Sequence, residues 1–268
     1  MTIPLIDTHL HLIYPERFSY PWLAGAGGLD RPWTVSDYWA EAEPLGIEAA
    51  VHMEVDVAPG DMVGETEFVL GLPRIAGAIA ACRPEEMGFV DQIERLAEFP
   101  HVKGVRRILH QSQDDLSQSD LFAENLRHLP DFDLSFDLCL RADQLHLGIA
   151  LAQKVPDLTF ILDHCGNPPI GGEGLDHWRE SISALARLPN MVGKISGLAN
   201  HAEPGWTADT LRPYVEHMID CFGWERVVWG SDHPVVTTTG GTLSDWVSAT
   251  RQILSGCSQA EQAKLLHD

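Results

Sequence analysis

Two histidines lie two residues apart in an apolar stretch that spans residues 3–12. In a β-strand, successive side chains alternate between the two faces, so Asp7, His9 and His11 are predicted to share one face. Two neighbouring imidazoles form half of a metal site, or a pair of rigid hydrogen-bonding groups. Because a His-x-His pair also arises by accident in surface strands and loops, the rest of the chain must decide between these interpretations.

Polar residues also lie near the ends of six other apolar runs of the chain. They are His52 and Glu54, Arg106 and Arg107, Asp137, Asp163 and His164, Lys194, and Asp232 with His233. Burial of charged groups is unfavourable unless they are paired or bind a metal, so core packing does not explain this recurrence. The pattern favours a functional site at the ends of the strands.

Three histidines and one carboxylate could together hold one divalent ion: His9, His11, His164 and Asp232. Imidazole nitrogen and carboxylate oxygen suit zinc or a similar ion, which would keep an open position for water. Such an ion lowers the pKa of bound water to about 7. Asp232 could instead, or as well, take a proton from water as a general base. Arg106 would stabilise an oxyanion or bind a substrate carboxylate, and these groups together predict hydrolysis at a carbonyl carbon.

Eight apolar runs alternate with helix-like segments. The predicted strands are residues 3–12, 49–57, 75–82, 102–109, 134–140, 159–164, 191–196 and 226–229. The predicted helices are residues 34–45, 64–72, 89–98, 119–129, 142–154, 173–188, 207–222, 242–254 and 259–267. Eight strands alternating with helices in about 250 residues predict an α/β protein with a TIM (β/α)8 barrel. An open doubly wound sheet is the alternative, but no glycine-rich phosphate-binding motif follows a strand. One domain over residues 1–268 is the simplest interpretation.

Composition excludes several classes of partner. A mean hydropathy of −0.08 and the absence of a long apolar run argue against a membrane span. The net charge of −21 disfavours a nucleic-acid partner, because phosphate backbones are bound by an excess of Lys and Arg. The five cysteines are scattered without a C-x-x-C pair, and no signal peptide is recognisable. We therefore expect a cytoplasmic protein, and the oligomeric state is not indicated.

Several segments of the chain carry a family resemblance. They are residues 6–12, 15–23, 103–106, 163–168, 194–197 and 229–234. In this order they resemble the motifs of the amidohydrolase superfamily, and more narrowly its lactone-hydrolysing branch. That branch includes L-fuconolactonase, L-rhamnonolactonase and 2-pyrone-4,6-dicarboxylate lactonase. His233 is a departure, since an aromatic residue is commoner between the aspartate and the proline of the last motif.

The resemblance implies a role for each site residue. His9, His11 and His164 would bind a metal or polarise the substrate carbonyl, with His164 also catalytic. Asp232 would activate water and share the metal. Arg106 would contact the substrate, and Glu54 is a weaker substrate-binding candidate, for which a salt bridge to a neighbouring Arg is an equal alternative.

The resemblance leaves two alternatives for the cofactor, because members of this branch occur with and without a metal. The site could bind one divalent metal, with zinc as the first candidate, or it could be metal-free. A second metal is not expected. Metal pairs in the superfamily are usually bridged near the end of the fourth strand, whereas Lys103 stands at the start of that strand.

The predicted function is hydrolysis of a small lactone, and a sugar aldonolactone is the first candidate substrate. A metal-dependent decarboxylase resembling aminocarboxymuconate-semialdehyde decarboxylase is the alternative within enzymes. Those enzymes tend to carry a glycine-rich sequence after the histidine of the sixth strand, where this chain has Cys165, Gly166, Asn167 and Pro168. A barrel that only binds a small molecule is the third interpretation, and the presence of Asp232 with the histidines argues against it.

Overall fold

The computed structural model describes residues 3–268, in which eight parallel strands form one sheet. The strands are β1 (Leu5–Leu10), β2 (Ile47–Met53), β3 (Ile75–Ala81), β4 (Val102–Ile108), β5 (Ser135–Cys139), β6 (Phe160–Leu162), β7 (Met191–Ile195) and β8 (Val227–Trp229). Each strand pairs with the next along the chain. The segment after β8 then returns to β1, where the Asp232 N–H donates to the His9 carbonyl at 2.9 Å. The predicted (β/α)8 barrel is confirmed.

Helices follow the strands and pack around the barrel. They are α1 (Val35–Ala42), α2 (Met62–Leu70), α3 (Phe89–Ala97), α4 (Asp120–Leu126), α5 (Leu145–Lys154), α6 (Leu175–Ala186), α7 (Leu198–His201), α8 (Ala208–Phe222), α9 (Leu243–Ile253) and α10 (Gln259–Leu266). The four-residue helix α7 was not predicted. Thr34, Thr207, Thr242 and Ser258 begin four of the others with capping boxes, which satisfy N–H groups that have no partner inside the helix.

The apolar core lies between the barrel wall and the helices. Its largest fully buried side chains include Trp178 of α6, Trp246 of α9 and Phe136 of β5. Each side chain of this size contributes on the order of 1.5–3 kcal/mol or more by leaving water. The core therefore holds the strands at fixed positions, and their carboxyl ends can carry polar groups.

Strand β1 departs from strict alternation because it contains a bulge. Asp7 pairs with Ala50 and Leu10 pairs with His52, so three steps along β1 match two steps along β2. An extra residue of this kind redirects the side chains around it. The bulge falls between Asp7 and Leu10, an interval that includes the first histidine of the motif.

Asp7 consequently does not join the histidines as predicted. Its carboxylate accepts hydrogen bonds from the Tyr38 hydroxyl of α1 at 2.7 Å and from the Ser231 N–H at 2.7 Å. Asp7 thus ties β1 to α1 and to the segment after β8. The expectation that it shares a face with His9 and His11 was wrong because the bulge breaks the two-residue period.

Strand β6 ends two residues earlier than predicted. It stops at Leu162, and Asp163–Gly166 form a 3-10 turn in which His164 and Cys165 have φ of 55° and 53°. Residues other than glycine rarely adopt this left-handed backbone conformation, and backbone strain of this kind is concentrated at functional sites.

No helix within residues 3–268 is long and apolar enough to cross a membrane.

Candidate active site

A cavity of about 370 Å³ opens at the carboxyl end of the barrel. On the side of β8, β1 and β2 its lining is mostly apolar, with Ile13, Trp22, Leu29, Val55, Pro234 and Val235. On the opposite side, after β4 to β7, it is mostly polar and neutral, with His110, Gln111, Asn167, Asn200 and His201. Its size is in the range of small-molecule sites, and its place is where TIM barrels carry their active sites.

Four of the predicted site residues reach the cavity: His11, Arg106, His164 and Asp232. The other two lie behind them. His9 is fully buried, Glu54 is 1% exposed, and neither lines the cavity. All six predicted residues therefore lie at the cavity or directly behind its lining.

His11 and Asp232 lie side by side at the base of the cavity. His11 Nε2 is 3.2 Å from Asp232 Oδ1, and His11 Nδ1 is 2.9 Å from the carbonyl oxygen of Met53. Because a carbonyl oxygen can only accept, Nδ1 must carry a proton. In the neutral ring, Nε2 then directs its lone pair at a carboxylate oxygen, which is unfavourable unless a cation lies between them.

Asp232 is held in position by its backbone and by a neighbouring amide. Its φ of 56° is left-handed, and its Oδ2 accepts a hydrogen bond from the Asn200 side chain of α7. Oδ1 is buried and has no hydrogen-bond partner within residues 3–268. Although burial opposes ionisation, the neighbouring His164 keeps the pKa of Asp232 below its usual range. The carboxylate is thus charged and oriented.

His9 lies deeper, between two carboxylates and a guanidinium. Its Nε2 is 3.6 Å from Asp232 Oδ1 and 3.4 Å from Arg106 Nη1, and its Nδ1 is 3.5 Å from Asp163 Oδ1. Burial holds the pKa of His9 well below its ordinary value, so the ring is neutral at pH 7. A neutral imidazole is the form that binds metal ions.

His164 fits beside His9 because the next strand is followed by a glycine. The two ring centroids are 4.5 Å apart, and His164 Nδ1 is 3.0 Å from the Ser196 hydroxyl. A Cβ at Gly197 would lie 2.5 Å from the same nitrogen, and the φ there is +66°. Only glycine leaves room for the imidazole at this point.

Arg106 is fixed by Glu54 rather than free in the cavity. Its Nε donates to Glu54 Oε1 at 2.7 Å, and its Nη2 donates to the Glu54 carbonyl at 2.9 Å. The second carboxylate oxygen of Glu54 accepts from the Asp56 N–H at 2.7 Å. Glu54 has thus used both oxygens, so the structure favours the predicted salt bridge over contact with substrate. The nearby carboxylate also raises the pKa of Arg106, in opposition to burial.

A buried ion network continues from Arg106 into the barrel. Asp163 Oδ2 is 3.4 Å from Arg106 Nη1, and Asp163 Oδ1 is 2.9 Å from Lys194 Nζ. Lys194 also pairs with Asp137, whose pKa burial raises to about 7 in spite of the lysine. Lys194 therefore joins strands β5, β6 and β7 as a structural cation.

The donor set fits a divalent cation. The ligand atoms of His9, His11 and Asp232 all lie within 4.8 Å of one another, and so do those of His9, Asp163 and His164. His164 therefore belongs to a second, overlapping set and does not join the first. Asp232 Oδ1 is a buried polar atom without a hydrogen-bond partner within residues 3–268, and a cation bound to it would satisfy it.

The charges of the interior support the same conclusion. Four buried carboxylates (Glu54, Asp137, Asp163 and Asp232) face two buried cations, Arg106 and Lys194. With neutral histidines and a pKa of about 7 for Asp137, between one and two negative charges are uncompensated at pH 7, and buried charges of this kind are costly. A divalent ion would balance them.

Lys103 and His233 lie away from this cluster. Lys103 is exposed near the start of β4, so it does not bridge two metals. His233 is 1% exposed and packs against the rings of Trp33 and Tyr38, with centroid distances of 5.3 and 5.4 Å. It occupies an aromatic packing position and does not line the cavity.

The sequence did not reveal several cavity residues. Asn200 and His201 belong to the short helix α7, and His110, Cys139 and Asn167 follow or end strands β4, β5 and β6. Cys139 lies inside the predicted fifth strand, and the signal that could have located the other four is their position one to five residues after a predicted strand end. That criterion also selects many residues that do not face the cavity.

Comparisons with known proteins agree with this geometry. A family model described as amidohydrolase matches residues 6–268. An L-fucono-1,5-lactonase from Burkholderia multivorans is 31% identical, with 86% of this chain and 82% of that protein covered. An L-fucono-1,5-lactonase from Burkholderia ambifaria is 29% identical, with 79% and 76% covered.

A solved structure shows the same fold. An amidohydrolase from Burkholderia multivorans with bound zinc has a TM-score of 0.88 and 24% identity, over 98% of this chain and 96% of that chain. The likeness therefore supports the barrel independently of the strand pattern.

Proposed function

The chain belongs to the amidohydrolase family, and on that premise we propose that it hydrolyses small-molecule lactones, most of all sugar aldonolactones. The observation that carries the proposal is the place of Asp232. A charged, oriented carboxylate lines the cavity with one oxygen unpartnered within residues 3–268, and two imidazoles lie within 3.6 Å of that oxygen. The relatives named L-fucono-1,5-lactonase support the reaction class.

The cavity favours a neutral substrate. Arg106 is its one lining cation within residues 3–268, and Glu54 and Asp163 already engage that guanidinium. Asp56 and Asp232 add negative charge to the lining. A substrate with several carboxylates would find no unpaired cation here, whereas the hydroxyl groups of a sugar lactone can bond to the neutral polar side of the cavity.

The reaction follows from the positions of the side chains. Asp232 Oδ1 accepts a proton from water, and the water oxygen attacks the ring carbonyl. An N–H of Arg106 that is not bonded to Glu54 donates to the oxyanion, with His164 beside it. The ring C–O bond breaks, and the proton passes to the leaving alkoxide, which gives a hydroxy acid. Asn200 keeps the carboxylate of Asp232 turned toward the water.

A divalent metal fits the same residues. His9, His11 and Asp232 would hold it, and zinc is the ion that their donor atoms suit best. When bound, it would supply Lewis-acid activation at the carbonyl. The metal would also balance the excess buried negative charge.

Acid release measured with a pH indicator tests the proposal. The purified protein is offered a panel of aldono-1,4- and 1,5-lactones, L-fucono-1,5-lactone among them, with and without a chelator. Acid release from one stereochemical group is expected, and a chelator should abolish it. No acid release from any lactone by the folded, metal-loaded protein would contradict the proposal.

A further inference from the structure

His110 and Cys139 meet in the polar wall of the cavity. His110 follows β4, Cys139 ends β5, and both line the cavity. His110 Nδ1 lies 3.1 Å from Cys139 Sγ. The proposed reaction uses neither side chain, so this contact calls for its own explanation.

The contact joins two neutral groups. Burial raises the pKa of the Cys139 thiol above its ordinary value, so the sulfur keeps its proton. Burial, together with the positive charge of Arg106, lowers the pKa of His110 to about 4. A thiol with a raised pKa is not a nucleophile at neutral pH, so this is not a thiolate–imidazolium pair.

The position of the shared hydrogen follows from donor strength. A neutral imidazole has one donor and one acceptor nitrogen, whereas a thiol is a weak donor and its sulfur a weak acceptor. Cys139 Sγ has no other hydrogen-bond partner within residues 3–268. The arrangement that best satisfies both groups places the thiol hydrogen on the lone pair of His110 Nδ1. The proton of the ring is then on Nε2.

The backbone holds this imidazole in place. The His110 N–H donates to the Cys139 carbonyl at 2.9 Å, and the His110 carbonyl accepts from Arg141 Nη1 at 2.6 Å. Because both the backbone of His110 and its Nδ1 are held by hydrogen bonds, its Nε2–H donor stays in one position. Such pre-organised donors favour ligands with a matching acceptor.

We propose that His110 is a specificity-determining residue whose Nε2–H donates to an oxygen of the bound lactone, and that Cys139 positions it by fixing its tautomer. The inference rests on the proposed function for the identity of the ligand. The tautomer itself does not depend on that function. The neutral histidine electrophile of triosephosphate isomerase is a chemical precedent for such a donor.

Nitrogen-15 NMR of the histidine side chains tests the tautomer without substrate. Spectra of the full-length protein are compared for wild type, Cys139→Ser and Cys139→Ala, and the His110 signal is assigned by its loss in His110→Phe. Wild type and Cys139→Ser, which keeps an O–H donor, should show the Nε2–H form. Cys139→Ala should show a mixture of both tautomers. An Nδ1–H form in wild type, or no change in Cys139→Ala, would overturn the proposal.

Kinetics with L-fucono-1,5-lactone test the role in recognition. His110→Phe should lower kcat/KM about tenfold through KM, since one hydrogen bond to the substrate is lost. Cys139→Ser should stay within about twofold of wild type. If wild type is active and His110→Phe keeps its kcat/KM, this inference fails. If wild type is itself inactive on the panel of lactones, the proposed function fails and the NMR result still decides the tautomer.

Discussion

His11 Nε2 lies 3.2 Å from Asp232 Oδ1, while the other nitrogen of the same ring is bonded to the Met53 carbonyl. The carbonyl fixes the ring proton on Nδ1, so a neutral His11 and an ionised Asp232 place two electron pairs face to face. The arrangement is stable only with a cation or a proton between them. This relationship ties the structure of the site to its chemistry.

Metal binding should therefore depend on both residues. We expect the metal-free protein to bind one equivalent of Zn²⁺ in a calorimetric titration. His11→Ala and Asp232→Asn should each weaken binding by at least about 100-fold, because loss of an outer partner of a ligand already costs about 10–100-fold. The exposed His146 provides a control, since His146→Gln should bind as wild type does. Unchanged affinity in both site variants would place the metal elsewhere.

The buried Glu54–Arg106 pair should support both activity and stability. Glu54→Gln removes the negative charge that holds Arg106 Nε at 2.7 Å. This substitution should lower kcat/KM. It should also lower the free energy of unfolding by roughly 3–5 kcal/mol. The more exposed Arg107–Glu85 pair has the same distance of 2.7 Å and serves as the matched control. Glu85→Gln should cost about 1 kcal/mol or less and leave the kinetics unchanged. Equal effects in the two variants would contradict a special role for Glu54.

Asp163 should act through His9, because its carboxylate lies 3.5 Å from His9 Nδ1 and also contacts Arg106 and Lys194. Asp163→Asn should lower kcat about 10–100-fold, as expected for a group that orients a catalytic or ligating histidine. Asp137→Asn removes the other carboxylate paired with Lys194 and should lower kcat far less. Steady-state kinetics of Asp163→Asn and Asp137→Asn measure this difference. An equal loss of kcat in the two variants would refute the role of Asp163 in orienting His9.

Glu65 should make the protein less stable as pH rises. Its carboxyl group is 1% exposed without a hydrogen-bond partner within residues 3–268, and burial raises its pKa well above the ordinary value. The folded protein keeps the proton, whereas the unfolded chain releases it above about pH 4.5, so unfolding becomes more favourable above that pH. Glu65→Met should raise the free energy of unfolding at pH 8 by about 1–3 kcal/mol and change it less at pH 4. Denaturant unfolding at both values measures this, and an equal effect at pH 4 and pH 8 would disprove it.

Most strand ends were predictable from the sequence because seven of the eight apolar runs carry polar residues near their ends, the run at residues 75–82 being the exception. His9, His11, His164 and Asp232 follow from that pattern and from the ordered motifs. The exceptions have local causes. Asp7 was misplaced because a bulge in β1 cannot be read from alternation, and the left-handed turn at His164 replaced a predicted strand.

The loops were less predictable. Asn200 reaches Asp232 only because the four-residue helix α7 follows Gly197, and so short a helix has no periodic pattern. The role of Glu54 was open in the sequence because a carboxylate beside an Arg can face the partner or the substrate. The distances between Glu54 and Arg106 in the structure decide between these two roles, and the residue types alone do not.

Turnover by Asp232→Asn tests most directly whether Asp232 activates the water. Acid release from the lactone that wild type hydrolyses best is measured for both proteins, with the exposed Asp176→Asn as a surface control and circular dichroism as a check of folding. We expect at least about 10³-fold lower kcat for Asp232→Asn and wild-type turnover for Asp176→Asn. A folded Asp232→Asn protein with wild-type turnover would show that another group activates the water.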